Sequence, residues 1–452
     1  MAKEKYIFVY GAGISGQGVA EILANKGEAV ILYNDTARDL PKEIVAALEK
    51  KGGKFVCGID PTSYLKETKL FIISPGIPLT TTIVDKAKQL NLEIIGEAEE
   101  AGRLYKGKWV GITGTNGKTT TTTLVGEMLK TLPVKTATGG NIGLALSKET
   151  EHLDADSYIA AELSSFQLET VTTLRVNIAL ILNITPDHIE RHKTMENYIK
   201  AKANIFAHQT KEDVIILNAD DPIVRDFASE AKGRVCFISC KQTLTEGAYM
   251  EKGNFVFAWQ GQKQIICAVK DMQIFGAHNE QNALGAIACA YFAGVTFADM
   301  AKVLKAFKGV EHRLEYVETI KNVPYYNDSK ATNTDSAIKA LEAFKDGHIV
   351  LIAGGHDKMT ELAEFMELVR TKTDALILLG EAKARFNEAA IKAGVRHIYL
   401  VNTFADGVRK AYALAKEPEV VLLSPACSSY DMFESFPERG RVFKELVHKL
   451  PH

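Results

Sequence analysis

The sequence lacks several features that would assign it to other classes of protein. No apolar run approaches the ~20 residues of a membrane span, and the six cysteines include no CxxC pair and no zinc-like spacing. The net charge is only -2 with both signs interspersed, so no basic face indicates nucleic acid or lipid. The N-terminus lacks the long apolar stretch and small-residue cleavage site of a signal peptide. We therefore expect a cytoplasmic protein without membrane insertion or bound nucleic acid.

Short apolar segments alternate with helical patterns along the chain. Its 452 residues, 46% hydrophobic and 24% charged, suffice for about three soluble domains of ~150 residues each. Apolar runs with hydrophobic side chains on both faces, separated by helices, are typical of parallel strands in an α/β fold. The predicted strands are 6–10, 29–33, 70–73, 109–112, 158–161, 178–182, 214–217, 349–353, 375–379, 398–401 and 420–423.

The α/β pattern divides into three predicted domains. Residues 1–97 form a Rossmann-like N-terminal domain with its own glycine-rich turn, and residues 98–309 form a central P-loop ATPase-like domain with a parallel sheet. Residues 247–269 alternate in hydrophobicity, which predicts a small antiparallel extension of the central domain. Residues 310–452 form a C-terminal Rossmann-like α/β domain.

A glycine-rich loop follows the first strand of the central domain. Backbone N–H groups at such a turn and at a helix N-terminus bind anions, while Lys118 offers charge to phosphates and Thr119 can ligate magnesium. The spacing departs from GxxxxGK[ST], because Ile112 stands five residues before Gly117, which leaves the variant pattern GxxGTNGKT. The loop predicts an ATP site whose contacts are Gly114, Thr115, Asn116, Gly117, Lys118, Thr119 and Thr120.

Two polar residues follow neighbouring predicted strands of the central domain. Glu162 ends the strand at 158–161, and His188 follows the strand at 178–182. Open α/β sheets bind ligands at the carboxyl ends of their strands, and magnesium prefers hard oxygen ligands. Taken alone, each residue has an ordinary interpretation that competes with metal binding: Glu162 as a solvated or capping carboxylate, and His188 as a structural histidine. Beside the phosphate loop, they predict metal binding.

The N-terminal domain carries a second glycine motif. Residues 11–16 read Gly-Ala-Gly-Ile-Ser-Gly between a strand and a helix, and Asp35 follows the next strand, as in dinucleotide-binding folds. One interpretation is a nicotinamide-dependent dehydrogenase. We favour the other, a turn that binds the diphosphate of a nucleotide-linked substrate, because ATP chemistry is already indicated at a separate site. A fluorescence change of added NADH would support the dehydrogenase.

Three polar clusters follow predicted strands of the C-terminal domain, at residues 327–333, 354–358 and 424–431. Neighbouring parallel strands would bring them to one rim, where lysines and hydroxyl groups suit an anionic substrate such as a dicarboxylate. Each cluster alone fits ordinary turn chemistry. Convergence favours a functional role for Lys330 and Lys358, whereas Asp431 is as well explained as a cap of the following helix.

Along essentially the whole chain, these residues resemble the Mur ligase family of ATP-dependent amide-bond ligases. The loop at 114–119, the segment His-Asn-Glu-Gln-Asn at 278–282, His-Arg-Leu-Glu at 312–315 and Asp-Ser-Lys-Ala-Thr-Asn at 328–333 are similar to family motifs. Residues 11–16, 161–168 and 424–436, with Arg439 and Gly440, resemble the branch that adds D-glutamate. The Asp-Asn-Pro-Arg signature of the branch that adds diaminopimelate or lysine is absent.

The resemblance implies roles for particular residues. It implies that Lys118, His188 and Lys202 are catalytic, and that Lys202, which the residues alone would class as solvated, is carbamylated. The implied ligands of two magnesium ions are Thr119, Glu162, His188 and Lys202. Further implied ATP contacts are Asn279, Asn282, Arg313, Asp328 and Lys330. The implied UDP-substrate contacts are Ser15, Gly16, Gln17, Asp35, Thr36, Gly76 and Asn141. The implied D-glutamate contacts are Thr332, Lys358, Ser429 and Phe436.

The reaction implied by the resemblance is ATP-dependent ligation of D-glutamate to UDP-N-acetylmuramoyl-L-alanine. Such a monomeric, ADP-forming carbon–nitrogen ligase would act through an acyl phosphate in peptidoglycan precursor synthesis for the cell wall. ATP contacts in two domains would require domain closure. Four alternatives stay open: another Mur-type amino acid ligase, folylpolyglutamate synthase, a phosphate-loop switch or motor, and the dehydrogenase.

Overall fold

The computed structural model describes residues 6–274, 276–344 and 347–452. Three sheets, each with parallel strands, confirm the predicted three-domain α/β fold. The chain forms two compact units, of which the first extends to Met272 and adds Glu280–Ala306, and the second contains Gln273–Asn279 and Phe307–His452. The domain limits at 97/98 and 309/310 stay predictions. Among the described residues, no helix has the length and apolar character needed to cross a bilayer.

The N-terminal domain is built on five parallel strands in the order β3-β2-β1-β4-β5. The strands are β1 (Tyr6–Tyr10), β2 (Val30–Asn34), β3 (Lys54–Cys57), β4 (Thr68–Ile73) and β5 (Ile94–Gly96). The helices are α1 (Ile14–Asn25), α2 (Lys42–Glu49), α3 (Thr62–Leu65), α4 (Thr82–Gln89) and α5 (Glu97–Leu104). Strand order reverses between β1 and β4, so their carboxyl ends flank the crevice where this topology binds ligands.

The central domain holds a nine-stranded sheet in the order β14-β13-β12-β11-β10-β9-β6-β8-β7. Its strands are β6 (Lys108–Thr113), β7 (Thr136–Gly140), β8 (Tyr158–Glu162), β9 (Ile178–Ile181), β10 (Val214–Asn218), β11 (Arg234–Ser239), β12 (Gly247–Glu251), β13 (Asn254–Trp259) and β14 (Gln262–Ala268). Strands β12, β13 and β14 pair antiparallel, which confirms the predicted extension. The two tryptophans of the chain, Trp109 in β6 and Trp259 in β13, are both buried here.

Helices of the central domain cover the faces of its sheet. They are α6 (Lys118–Leu129), α7 (Leu146–Glu149), α8 (Ser165–Leu168), α9 (Ile189–His192), α10 (Met195–Ala203), α11 (Pro222–Asp226), α12 (Ala277–Ala293) and α13 (Phe297–Ala306). Helix α7 packs against α1 and α5 of the N-terminal domain within the first unit. The contact is close, because a Cβ on Gly18 would lie 2.6 Å from that of Ala145. It is also polar, since Lys148 pairs with Glu21 at 2.6 Å.

The second unit contains a six-stranded sheet in the order β15-β16-β20-β17-β18-β19, parallel except for the edge strand β15. Its strands are β15 (Glu315–Ile320), β16 (Val323–Asn327), β17 (Ile349–Gly354), β18 (Thr373–Leu379), β19 (Ile398–Leu400) and β20 (Val420–Leu423). Its helices are α14 (Thr334–Ala343), α15 (Ala363–Lys372), α16 (Lys383–Ala393), α17 (Phe404–Leu414) and α18 (Phe436–His448). Strands β16, β20 and β17 are neighbours, so their carboxyl ends share one rim.

Candidate active site

The phosphate loop joins β6 to α6 in a conformation that requires glycine. Gly114 has φ 151° and Gly117 has φ 84°, both in the region that side chains disfavour. A Cβ on Gly117 would also lie 2.2 Å from Oδ1 of Asn282, so the loop and α12 are in close contact. The loop thus brings its backbone and the N-terminus of α6 to one point, the arrangement that binds phosphate.

The end of β9 anchors the loop from the side. The backbone N–H of Thr115 donates to Asn183 O at 2.8 Å, and that of Asn116 donates to Asn183 Oδ1 at 2.8 Å. Thr115 Oγ1 accepts from Thr185 N at 2.9 Å and lies 3.0 Å from the Tyr198 hydroxyl. Sequence reasoning assigned no role to Asn183 or Tyr198, although the asparagine directly after a buried strand was a usable signal.

Two lysines converge on the same loop carbonyl. Lys118 Nζ donates to Gly114 O at 2.9 Å and to Thr115 O at 2.8 Å. Lys202 Nζ donates to Gly114 O at 2.7 Å and lies over the Tyr198 ring. Lys202 is only 2% exposed, so its interpretation from the residues alone as a solvated lysine is wrong. Burial, reinforced by the charge of Lys118, holds the pKa of Lys202 well below its usual range.

Glu162, a predicted metal ligand, ends β8 and is close enough for its charge to act on Lys202. Its carboxylate is 1% exposed, and Oε1 accepts from Asn141 Nδ2 at 2.9 Å. Oε2 is buried and has no hydrogen-bond partner among the described residues, which suits a carboxylate that binds a cation. The charges of Glu162 and Asp187 both act on the pKa of Lys202, so the three groups are electrostatically coupled.

His188 immediately precedes α9 and has a left-handed conformation, with φ 54°. Its Nε2 lies 3.3 Å from Asp187 Oδ2, and its side chain is half exposed. Glu169 anchors helix α9, because its carboxylate oxygens lie 3.0 Å from the side chains of both Arg191 and His192. The buried Glu162 carboxylate and the half-exposed His188 ring therefore offer oxygen and nitrogen atoms of the kinds that suit a divalent cation.

The glycine motif of the N-terminal domain forms a tight turn at the end of β1. A Cβ on Gly16 would lie 1.8 Å from Gly11 O, so only glycine fits there. Ser74 Oγ, at the end of β4, donates to Gly11 O at 2.8 Å, and Gln17 Nε2 donates to Ala12 O at 2.7 Å. These contacts place the predicted Ser15, Gly16 and Gln17 at the topological crevice.

Asp35 and Thr36 lie at the end of β2, beside this turn. The Tyr10 hydroxyl donates to Asp35 Oδ2 at 2.7 Å, and Asn34 Nδ2 donates to Thr36 O at 3.0 Å. Burial and the neighbouring Asp35 raise the pKa of Tyr10. Gly76 follows β4 with open space around it. Sequence reasoning missed Tyr10, Asn34 and Ser74, which orient the predicted residues.

Polar residues on the rim of the second unit are linked to one another, as predicted. Asp328 Oδ2 accepts from Ser424 Oγ at 2.8 Å, and its Oδ1 accepts from Leu314 N at 3.2 Å. Burial raises the pKa of Asp328 to about 7, opposed by the charge of Arg313.

Arg439 is 1% exposed and donates to the carbonyls of Ser329, Cys427 and Ser428. Burial lowers its pKa to about 10.

The predicted D-glutamate residues lie on this rim or beside it. Ser429 is buried, and Lys330 Nζ lies 5.6 Å from the centre of the Phe436 ring. Thr332 donates its backbone N–H to Lys330 O at 2.9 Å, and Lys358 is exposed on the loop after β17. Asp431 does not cap α18, because the cap is Ser435. The Asp431 carboxylate instead accepts from Glu381 N at 3.0 Å.

A cavity of about 430 Å³ lies on the flank of the first unit, and a larger one of about 640 Å³ lies in the second. The second cavity brings together Asn279 and Arg313, two of the predicted ATP contacts. Tyr316 and Tyr326 also line it, with ring centres 5.9 Å apart in an edge-to-face arrangement. Aromatic walls with a few polar groups are typical of small-molecule sites.

The chain belongs to the Mur ligase family. Family profiles match residues 5–96 (Mur ligase MurD-like, N-terminal domain), 112–290 (Mur ligase middle domain) and 312–427 (Mur ligase, glutamate ligase domain). The chain is 44% identical over 450 residues to a UDP-N-acetylmuramoylalanine--D-glutamate ligase of Caldanaerobacter subterraneus, covering 99% of each chain. It is 42% identical over 446 residues to the enzyme so named in Pelotomaculum thermopropionicum, covering 99% and 98%.

Solved structures support the fold. UDP-N-acetylmuramate-alanine ligase MurC of Thermotoga maritima superposes with a TM-score of 0.62 at 19% identity, over 98% of this chain and 99% of that one. A pseudomurein peptide ligase type C of Methanothermus fervidus superposes with a TM-score of 0.60 at 20% identity, over 98% and 100%.

Proposed function

We propose that the chain ligates D-glutamate to UDP-N-acetylmuramoyl-L-alanine and converts ATP to ADP and phosphate as it does so. Two relatives that bear the name of this activity are 42–44% identical along 99% of the chain. The observation that carries the chemistry is that Lys118 and Lys202 both donate to the Gly114 carbonyl, while the charge of Glu162, a carboxylate with one oxygen lacking a hydrogen-bond partner among the described residues, acts on Lys202. This combination suits phosphoryl transfer to a substrate carboxylate.

The proposed reaction has two steps. The terminal carboxylate of the UDP-linked substrate attacks the γ-phosphorus of ATP, which forms an acyl phosphate and releases ADP. The amine of D-glutamate then attacks the acyl carbon, and inorganic phosphate leaves as the amide bond forms and the amine loses a proton. The loop amides orient the phosphates, and Lys118 neutralises developing charge. Positioning and charge therefore account for the chemistry without a protein nucleophile.

We further propose that Thr119, Glu162, His188 and Lys202 hold two magnesium ions, with Lys202 carbamylated. Magnesium would neutralise phosphate charge when bound. Burial lowers the pKa of Lys202 and so favours its neutral amine, the form that attacks carbon dioxide to give a carbamate with loss of a proton. The carbamate would convert Lys202 from a competing cation into an oxygen ligand.

The carbamate is tested by carbon-13 NMR of protein equilibrated with labelled bicarbonate. A carbamate signal in the wild type that disappears in Lys202→Arg supports the proposal. The control is Lys200→Arg, an exposed position of the same helix α10, which should keep the signal. A wild-type spectrum without a carbamate signal would refute it.

The remaining predicted contacts complete the proposal. Ser15, Gly16, Gln17, Asp35, Thr36 and Gly76, with Asn141, would bind the UDP-linked substrate. Asn279, Asn282, Arg313, Asp328 and Lys330 would bind ATP, and Thr332, Lys358, Ser429 and Phe436 would bind D-glutamate. The enzyme would act as a monomer in the cytoplasm.

An assay of phosphate release distinguishes the possible reactions. The assay contains ATP, magnesium and UDP-N-acetylmuramoyl-L-alanine, and offers D-glutamate, L-glutamate, L-lysine and D-alanyl-D-alanine in separate reactions. Release with D-glutamate alone supports the proposal. Release with a different amino acid would reassign the substrate within the family, and release that requires no amino acid would exclude a ligase.

A further inference from the structure

The loop after β17, residues 355–362 and here called the Lys358 loop, is bent sharply where it carries Lys358. Met359 has φ 55°, which is uncommon for a residue other than glycine. Its N–H donates to Asp357 Oδ1 at 2.8 Å. Within the described ranges, the Lys358 ammonium makes no hydrogen bond or ion pair. The loop therefore holds an exposed lysine, without a partner of its own, in a conformation that needs support.

Arg385 of α16 provides that support from both sides of Lys358. Its Nε donates to Asp357 Oδ2 at 2.7 Å, and its Nη2 donates to Asp357 Oδ1 at 2.6 Å. Its Nη1 donates to Thr360 O at 3.0 Å. The planar guanidinium thus bridges the residue before Lys358 and the second residue after it, which a lysine could not do.

The arginine contact is also shielded from water. The Asp357 side chain is 12% exposed and that of Arg385 is 29% exposed, so the pair is stronger than an ordinary surface ion pair. The base of the loop is fixed separately, because His356 N donates to Ser428 O at 3.0 Å and His356 Nδ1 lies 2.6 Å from Glu381 Oε2. Arg385 is therefore needed for the bend itself rather than for holding the loop to the sheet.

We propose that Arg385 is a positioning residue that orients Lys358 toward an acidic amino acid substrate. This inference rests on the proposed function, in which Lys358 binds D-glutamate. A correctly placed ammonium gains a charge-assisted hydrogen bond with the substrate carboxylate, and a misdirected one loses it. Among the described residues, Arg385 bonds to Asp357 and Thr360, which are not proposed substrate contacts, so its effect should appear through Lys358.

The test is the KM for D-glutamate in the phosphate-release assay. Because a hydrogen bond to a charged group contributes about 1.5–3 kcal/mol, Arg385→Ala should raise this KM by about tenfold or more. The KM for ATP should stay within about twofold of wild type. Arg385→Lys should recover only part of the loss. Arg370→Ala is the matched control, since Arg370 is an exposed residue of α15 that pairs with Glu367 on the same helix, and it should leave every KM unchanged.

A double-mutant cycle distinguishes positioning from general damage. If Arg385 acts through Lys358, adding Arg385→Ala to Lys358→Ala should raise the KM for D-glutamate no further. Additive effects, or an unchanged KM in Arg385→Ala, would overturn the inference and leave the proposed function intact. Wild-type enzyme without D-glutamate-dependent release would overturn both. If Arg385→Ala does not fold, Asp357→Asn, which keeps the size of the side chain, carries the same test.

Discussion

Glu97 gives a stability prediction with a defined sign and size. This first residue of α5 accepts a hydrogen bond from Ser147 N of α7 through Oε1 at 2.6 Å, and its side chain is buried. Burial raises the pKa of Glu97 from 4.5 to about 7, against the opposing hydrogen bond from Ser147 N. The folded protein therefore binds the Glu97 proton more tightly than the unfolded chain does.

The magnitude follows from proton linkage. One pKa unit corresponds to about 1.4 kcal/mol, so a pKa raised from 4.5 to about 7 contributes about 3 kcal/mol when the group is protonated in both states. This contribution is fully present below the unfolded pKa and disappears as pH rises through the folded pKa. Raising the pH from 5 to 8 should therefore lower the contribution of Glu97 to the free energy of unfolding by about 2–3 kcal/mol.

Glu97→Gln removes the charge and keeps an oxygen that can accept from Ser147. Urea unfolding of both proteins at pH 5 and pH 8, followed by circular dichroism, measures the change in their difference. The difference cancels other titrating groups, among them Asp328, whose pKa is also raised to about 7. From pH 5 to pH 8 the free energy of unfolding of the variant should gain about 2–3 kcal/mol relative to that of wild type. A difference that does not change with pH would refute the assigned burial.

Three further predictions follow from close contacts. Gly16→Ala should destabilise the first unit by about 3 kcal/mol or more, because its Cβ would collide with Gly11 O, while Gly13→Ala, with open space around it, should melt like wild type. Lys118→Ala should abolish phosphate release, because its ammonium, which donates to the Gly114 and Thr115 carbonyls, is the charge proposed to act on the phosphates; a melting temperature near that of wild type would show that the variant still folds. Arg439→Lys should lower stability by roughly 3–5 kcal/mol in thermal unfolding, because lysine cannot satisfy the same buried acceptors.

Local patterns were sufficient to predict the frame of this molecule. The strand, turn and helix around Lys118 lie within one stretch of chain, so the sequence alone indicates the phosphate loop. The alternating hydrophobicity that predicts β12 to β14 also lies within one stretch of chain, so the sequence alone indicates these strands. The strand β7 (Thr136–Gly140) was not predicted, because its threonines and glycines suit the sheet edge it occupies rather than an apolar interior.

Features that depend on packing could not be predicted from local patterns. The burial of Lys202 depends on which face of α10 meets the phosphate loop, and the sequence of the helix alone does not determine that face. The contact of Arg385 with Asp357 joins residues 28 positions apart on separate elements. The unpaired oxygen of Glu162 likewise becomes visible only once its neighbours are in place. The motifs predicted the candidate site residues, whereas the tertiary structure gives the burial and the contacts of each.

The placement of both tryptophans in the central domain makes that domain optically distinct. Light that excites indole in preference to phenol reports on Trp109 and Trp259 alone, although the chain also contains 15 tyrosines. Trp109 lies near the start of the strand that leads into the phosphate loop, so a change in its emission on addition of ATP would show, without a label, that binding alters this strand. Unfolding seen by circular dichroism but silent in this emission would belong to the N-terminal domain or to the second unit.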